Sequence, residues 1–330
     1  MLTRIFLRML MVPLRLACAV AIGNAPAAAA DVFPSKPLRI IVPVAAGGNL
    51  DIVARTLAER MASGLGQPVI VENRPSASSL IGTQLVAKSP ADGYTLLAIG
   101  NTFLSTPAIV ANAGYDPVAD FVGVSLVCRI PEMLVVPAAS PYQHVSDLIA
   151  QAKLRPGQLS YASAGSGSVG HIAAEVFSRH AGITLQHIPY KGNAQAIVDV
   201  IGGRVDLMFD QVSTSAANLR SGSLRSLGVT TLTRSSLFPN IATLDESGLK
   251  GFEDVTINAI MAPAGTPREI VARLHAEIAK AVQTPELRNR FASQGIELTP
   301  SASPDEFTAY VRSEVARFAR LAREAGIKAQ

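Results

Sequence analysis

Cysteine is almost absent from this 330-residue chain, which has only Cys18 and Cys128. Cys18 falls in the amino-terminal leader described below, so one thiol remains in a mature chain. That excludes an internal disulfide and a thiol-based metal cluster. Cys128 closes an apolar run and reads as a small buried residue, not a nucleophile. Charge is sparse as well: the leader holds three arginines and no acid, so the formal +4 falls to +1 once it is removed. No basic stripe points to nucleic acid, and no apolar run is long enough to span a membrane. Catalytic signatures are missing too. Neither G-x-S-x-G nor H-E-x-x-H occurs, and His171 and His187 lack cysteine or histidine partners at metal-ligand spacing.

What is present begins with an export signal. Arg4, Arg8 and Arg15 precede the short apolar run Leu16 to Ile22, and Ala28-Ala29-Ala30 before Asp31 forms an A-x-A type cleavage site. Residues 1–30 therefore read as a signal peptide cleaved near Ala30, which places the mature protein outside the cytoplasm. A lipoprotein reading of Cys18 meets an obstacle in Arg15, which interrupts the apolar stretch such a site needs.

From Leu38 onward short apolar runs alternate with helical periodicity, the pattern of a mostly parallel sheet flanked by helices. Strands are expected at Leu38 to Pro43, Val69 to Val71, Thr95 to Ile99 and Val122 to Val127, with helices at Asp51 to Gly64 and Ile81 to Lys88. A second run of the same kind has strands at Met133 to Val136, Leu159 to Tyr161, Leu185 to Ile188, Val205 to Phe209 and Leu224 to Val229. Its helices fall at Val145 to Leu154, after Gly170, and at Ala194 to Ile201. Two α/β units in series fit about 300 mature residues. The last segment is helical, and Thr266-Pro267-Arg268-Glu269 and Ser303-Pro304-Asp305-Glu306 both read as capping boxes, with helix starts near Arg268 and Asp305.

The candidate site centres on the loop Ser163-Ala164-Gly165-Ser166-Gly167-Ser168, which continues through Val169-Gly170 to His171. Gly165 to Gly170 matches the G-x-G-x-x-G pattern of dinucleotide-binding turns. That cofactor also needs an acid at the end of the next strand, and Leu185-Gln186-His187 supplies none. No cofactor is expected. A strand-to-helix loop still aims backbone N–H groups at an anion, although a plain tight turn would need the same small residues. A second loop, Pro43 to Asp51 with Ala46, Gly47, Gly48, Asn49 and Asp51, repeats the arrangement, with Asn49 as its expected cap. Asn101-Thr102, Tyr190-Lys191-Gly192 and Asp210-Gln211 each follow a strand, where α/β sheets place their ligands. Glu72-Asn73-Arg74 reads as a strand-end turn. A serine nucleophile at Ser166 or Ser168 with His171 as base lacks an orienting acid, so the enzyme reading is the weaker one.

In order along the chain, these segments resemble the periplasmic solute-binding proteins of tripartite tricarboxylate transporters, the TctC or Bug type. The resemblance rests on Pro34 to Arg39, Gly47 to Arg55, Val71 to Pro75, Asp92 to Leu96, Tyr115-Asp116-Pro117, Tyr161 to Ser168, Pro189 to Gly192, Gly202 to Asp210 and Ala262 to Pro267. It implies a two-domain α/β periplasmic-binding-protein fold of type II kind with a two-strand hinge. The first domain would comprise 31–132 plus 257–330, and 133–256 would be inserted. It also implies a ligand carboxylate held by amides of the Gly47-Gly48 loop, with Ser163 to Ser168, His171, the Asn101-Thr102 region, Lys191 and Asp210 as further contributors. Asp210 would suit an ammonium or hydroxyl at the ligand's other end. The first loop departs from the family's usual P-G-G-G-T-D: Ala46 replaces a glycine and Asn49-Leu50 stands for the last glycine and threonine.

The expected function is capture of a small organic acid in the periplasm, by a monomer that hands it to membrane transporter subunits. A sensor serving a signalling partner would use the same cleft and stays open as the alternative.

Overall fold

The computed structural model describes residues 33–324 apart from Ser166, so the expected signal peptide and the expected ligand contact of Ser166 lie outside the described residues. Three parallel strands open the fold: β1 (Leu38–Val42), β2 (Val69–Asn73) and β3 (Thr95–Ile99), with β1 central. They carry α1 (Asn49–Leu65), α2 (Leu80–Ala87) and α3 (Asn101–Ile109). Successive side chains on a strand point to opposite faces, and here both faces are covered. Ile40 packs with Met61, Leu96 and Ile278 on one side, while Ile41 packs with Leu97, Phe103 and Phe307 on the other.

The next strand, β4 (Phe121–Pro137), runs 17 residues through both halves of the molecule. It merges the two expected runs, Val122 to Val127 and Met133 to Val136. Pro131 and the charged Arg129 and Glu132 interrupt the apolar pattern between them, yet the backbone pairs throughout: as far as Pro131 with β9 (Val255–Pro263), beyond it with β7 (Leu207–Gln211) and β8 (Leu224–Val229). All these pairings are antiparallel.

In the second half β5 (Ser160–Ser163) lies parallel between β6 (Gln186–Pro189) and β7. Its helices are α4 (Val145–Leu154), α5 (Val169–Ala181), α6 (Asn193–Ile201) and α7 (Val212–Arg220). Tyr161, Phe177 and Phe209 fill one face of this sheet, and Ala162, Val200 and Met208 the other. Ile172 of α5 reaches into the core of the first half beside Phe103 and Ile257. The chain returns through β9 and finishes with α8 (Arg268–Val282), α9 (Pro285–Ala292), β10 (Glu297–Leu298) and α10 (Pro304–Glu324) on the first half.

Of the two expected capping boxes, one forms a cap. Ser303 Oγ accepts the Glu306 amide at 3.1 Å, and Glu306 Oε2 accepts the Ala302 amide at 2.9 Å. At α8 the helix starts at Arg268 but Pro267 is itself the cap residue, which leaves Thr266 one position too far upstream. Its hydroxyl donates to the Pro263 carbonyl at 2.7 Å instead.

Candidate functional site

The glycine loop between β5 and α5 owes its composition to geometry. Gly165 and Gly167 take φ of +126° and +77°, which side chains rarely adopt. A Cβ on Gly170 would lie 2.5 Å from the Phe209 carbonyl oxygen, so α5 rests directly on β7 only because that position has no side chain. Ser168 caps α5 through a long contact, 3.4 Å, from the His171 amide. The Gly167 amide donates to His171 Nδ1 at 3.0 Å, which assigns the neutral ring's proton to Nε2. His171 stacks on His187 with centroids 4.2 Å apart, and His187 Nε2 lies 2.7 Å from Ser163 Oγ. Burial lowers the pKa of both rings, that of His187 to about 4 with the neighbouring His171 contributing, so both are neutral near pH 7. With Nδ1 already taken, His171 buttresses the loop and is not placed as a base for Ser168.

The first loop is organised by a buried carboxylate. Asp51, 3 % exposed, accepts the Gly47 amide at 2.9 Å, Asn73 Nδ2 at 2.8 Å and Arg55 Nε at 3.0 Å. Burial pushes its pKa up, but these three donors outweigh it and hold the carboxyl below its usual range. Asn73 also donates to the Val44 carbonyl at 3.2 Å, so the Glu72-Asn73-Arg74 turn braces the first loop. Asn49 is not the cap: Gly48 occupies that position, and Asn49 is the first helical residue. Its Nδ2 crosses to the second half, donating to Gln211 Oε1 at 2.6 Å and Ser213 Oγ at 3.2 Å.

The other expected contributors divide into those on the cleft and those behind it. Asn101 spends its side chain on the returning strand, with Nδ2 donating to the Val255 carbonyl and Oδ1 accepting the Ile257 amide, each at 2.8 Å. Thr102 is half-buried and faces the cleft with it. Asp210, 1 % exposed, accepts Asn193 Nδ2 at 2.7 Å and the Thr214 and Ser215 hydroxyls at 2.6 Å each. Its carboxylate is thus enclosed by donors of its own half and is not in the wall of the cavity described below. Lys191 is exposed, and Lys191, Ala46, Gly47, Ala164 and Ser163 all lie outside the cavity wall.

The cavity itself holds about 250 Å³ and is bounded by the amino-terminal ends of five helices: Gly48 and Asn49 at α1, Ser79 at α2, Asn101 and Thr102 at α3, Val169 at α5 and Gln211 at α7. Val44, Leu50 and Phe103 supply apolar wall, and Thr256 and Asn258 of β9 contribute polar groups. Among the described residues that line it, none is Asp, Glu, Lys, Arg or His. The first amides of a helix have no intrahelical partner, so each of the five ends offers donors and a partial positive charge. Gln211 links the lip to the hinge: Nε2 donates to Thr256 Oγ1 at 3.1 Å, and Thr256 donates to Glu132 Oε1 at 3.2 Å. Burial, then the charges of Asp254 and Asp210, push Glu132 well above the usual carboxyl range, which favours its neutral form. At the lip, Gly167 approaches α3 so closely that a Cβ would lie 2.3 Å from Ile109 Cδ1. Gln211 follows its strand as the sequence suggested, whereas Thr256 and Asn258 were not expected as site residues. Their only sequence signal is polar positions alternating along an otherwise apolar strand.

Among the described residues no three His, Cys, Asp or Glu side chains stand close enough to share a metal ion, and no helix is long and apolar enough to cross a membrane. Residues 53–327 match the model of the tripartite tricarboxylate transporter family receptor. The chain is 37% identical to the protein BugT of Bordetella pertussis over 93% of its own length and 94% of that protein's. Among solved structures, the periplasmic binding protein BugD is similar at 35% identity and a TM-score of 0.75, covering 90% of this chain and 100% of that one. R. palustris Rpa4515, solved with adipate, is similar at 34% identity and a TM-score of 0.78, with the same coverage. These similarities extend through both halves and the crossing strands, and on them the chain belongs to the tripartite tricarboxylate transporter receptor family, as a periplasmic solute-binding receptor with the two-domain α/β binding-protein fold.

Proposed function

We propose that the protein captures a small carboxylate-bearing solute in the cleft between a first domain of residues 31–132 plus 257–330 and an inserted domain of 133–256, and delivers it to a tripartite tricarboxylate-type transporter. The observation that carries this reading is the convergence of the α1, α2, α3, α5 and α7 amino termini on one cavity with no charged side chain among the described residues of its wall. Helix-end amides bind an anion without a buried arginine. That the related Rpa4515 was solved with adipate supports a carboxylate as the ligand class. Contacts to both domains would favour the closed form, so binding and closure are one equilibrium.

A thermal-shift screen of the mature protein, stripped of carried-over ligand by partial unfolding and dialysis, tests the reading against mono-, di- and tricarboxylates, amino acids and aromatic acids. A ligand at about 100 times its Kd adds about 2.7 kcal/mol of stability. Failure of every carboxylate to raise the midpoint of a cooperative melt would remove the support for an anion cleft.

A further inference from the structure

Two residues of the cavity wall are held in ways that disfavour the fold by itself; the step from them to a ligand rests on the receptor reading just given. Ser78 and Ser79 have φ of +51° and +60°, the left-handed region that a Cβ makes unfavourable and that glycine occupies freely. Of the two, only Ser79 lines the cavity. It is 6 % exposed, and its backbone is fully used: the amide donates to the Ser76 carbonyl at 3.1 Å, and the carbonyl accepts the Thr83 hydroxyl at 2.8 Å. The hydroxyl is not used in the same way. Although Ser79 is the cap residue of α2, its side chain accepts no amide of that helix, and the Ile81 amide donates to Ser76 Oγ at 2.9 Å instead. Glycine would make the same turn without strain, so what serine adds is a hydroxyl on the cavity wall.

Asn258 of β9 is the second case, and an independent one. It lines the same cavity, is 2 % exposed, and its Nδ2 has no hydrogen-bond partner among the described residues. A buried donor left unpaired loses its water without a replacement, which is why such groups are rare. The contrast with the rest of the wall is direct: the side chains of Asn49, Asn101, Gln211 and Thr256 all hydrogen-bond other protein groups. Strained backbone and orphaned donors persist where a ligand makes use of them. A hydroxyl donates or accepts and an amide nitrogen donates, so an oxygen satisfies both.

We infer that Ser79 and Asn258 are specificity-determining contacts, with Ser79 Oγ and Asn258 Nδ2 holding oxygens of the bound acid. The test sets stability against affinity. Ser79→Gly removes the hydroxyl together with the strain, and Asn258→Leu removes the orphaned donor at similar volume, so the urea midpoints of the ligand-stripped mature variants should be no lower than that of wild type. Titration calorimetry uses adipate, malate and 4-hydroxybenzoate, or the acid ranked first in the wider screen if none of these binds. Each variant should bind the acid that wild type binds at least fivefold more weakly. Ser79→Ala, which keeps the strain and loses only the hydroxyl, should weaken binding as much as Ser79→Gly. A smaller loss of affinity overturns the inference and leaves the receptor reading standing, as does a lowered midpoint in Ser79→Gly, which would make the serine a support of the fold. Should Asn258→Leu fail to fold, the two Ser79 variants decide. Binding of no acid by wild type overturns both readings.

Discussion

Replacing Asn49 with alanine should loosen the closed cleft. The side chain joins the two halves through Gln211 Oε1 at 2.6 Å and Ser213 Oγ at 3.2 Å, and both partners are half-buried. A protein hydrogen bond is worth about 0.5–1.5 kcal/mol net, and the longer of these two belongs at the low end, so the pair should contribute about 1–2 kcal/mol to closure. A change of that size moves a two-state ratio by roughly 5–30-fold toward the open form. Because ligand affinity scales with the fraction of binding-competent molecules, the same factor is the ceiling on the loss of affinity. Spin labels at Asn112→Cys and Gln195→Cys, exposed positions in the two halves, would report the distance between them. The native Cys128 is fully buried, and burial pushes its thiol up to about 12, which keeps it out of the labelling reaction. Wild-type protein should show a dominant short-distance population, and Asn49→Ala a broader, longer one with weaker carboxylate binding. Superimposable distance distributions and equal affinities would refute the latch.

Packing and titration each carry a further outcome. Gly170→Ala sets a Cβ against the Phe209 carbonyl at 2.5 Å, backbone against backbone, so α5 must shift; urea unfolding should show a loss of about 1–3 kcal/mol, and an unchanged midpoint would contradict the packing. Acidity should act in opposite senses on two sites. The folded pKa of His187 lies near 4, below its usual 6.5, so its contribution is present above pH 6.5 and lost as pH falls toward 4; His187→Asn should flatten that part of the stability profile. Glu132 is raised well above 4.5, so its contribution is present below pH 4.5 and lost as pH rises through the folded value; Glu132→Gln should be at least as stable as wild type at pH 8. Urea midpoints measured across the pH range check both signs, and parallel profiles for variant and wild type would contradict them.

The alternation of apolar runs and amphipathic segments determined the order and type of most elements. Val145 to Leu154 and Leu224 to Val229 form as a helix and a strand with the expected limits, because periodicity is a local property of the chain. The glycines of the 163–170 loop were legible for the same reason, since φ above zero and a missing Cβ are demands made on single residues. Only the tertiary structure decided that β4 is one strand, because pairing with β9, β7 and β8 carries the backbone past the proline and charges that interrupt its pattern. It also turned Asn49 from a local cap into a tie to Gln211, 162 residues away, and set Asp210 in a cage of hydroxyl and amide donors. Where a polar side chain spends its hydrogen bonds depends on which donors and acceptors the folded chain brings within 3 Å, and no spacing along the sequence encodes that.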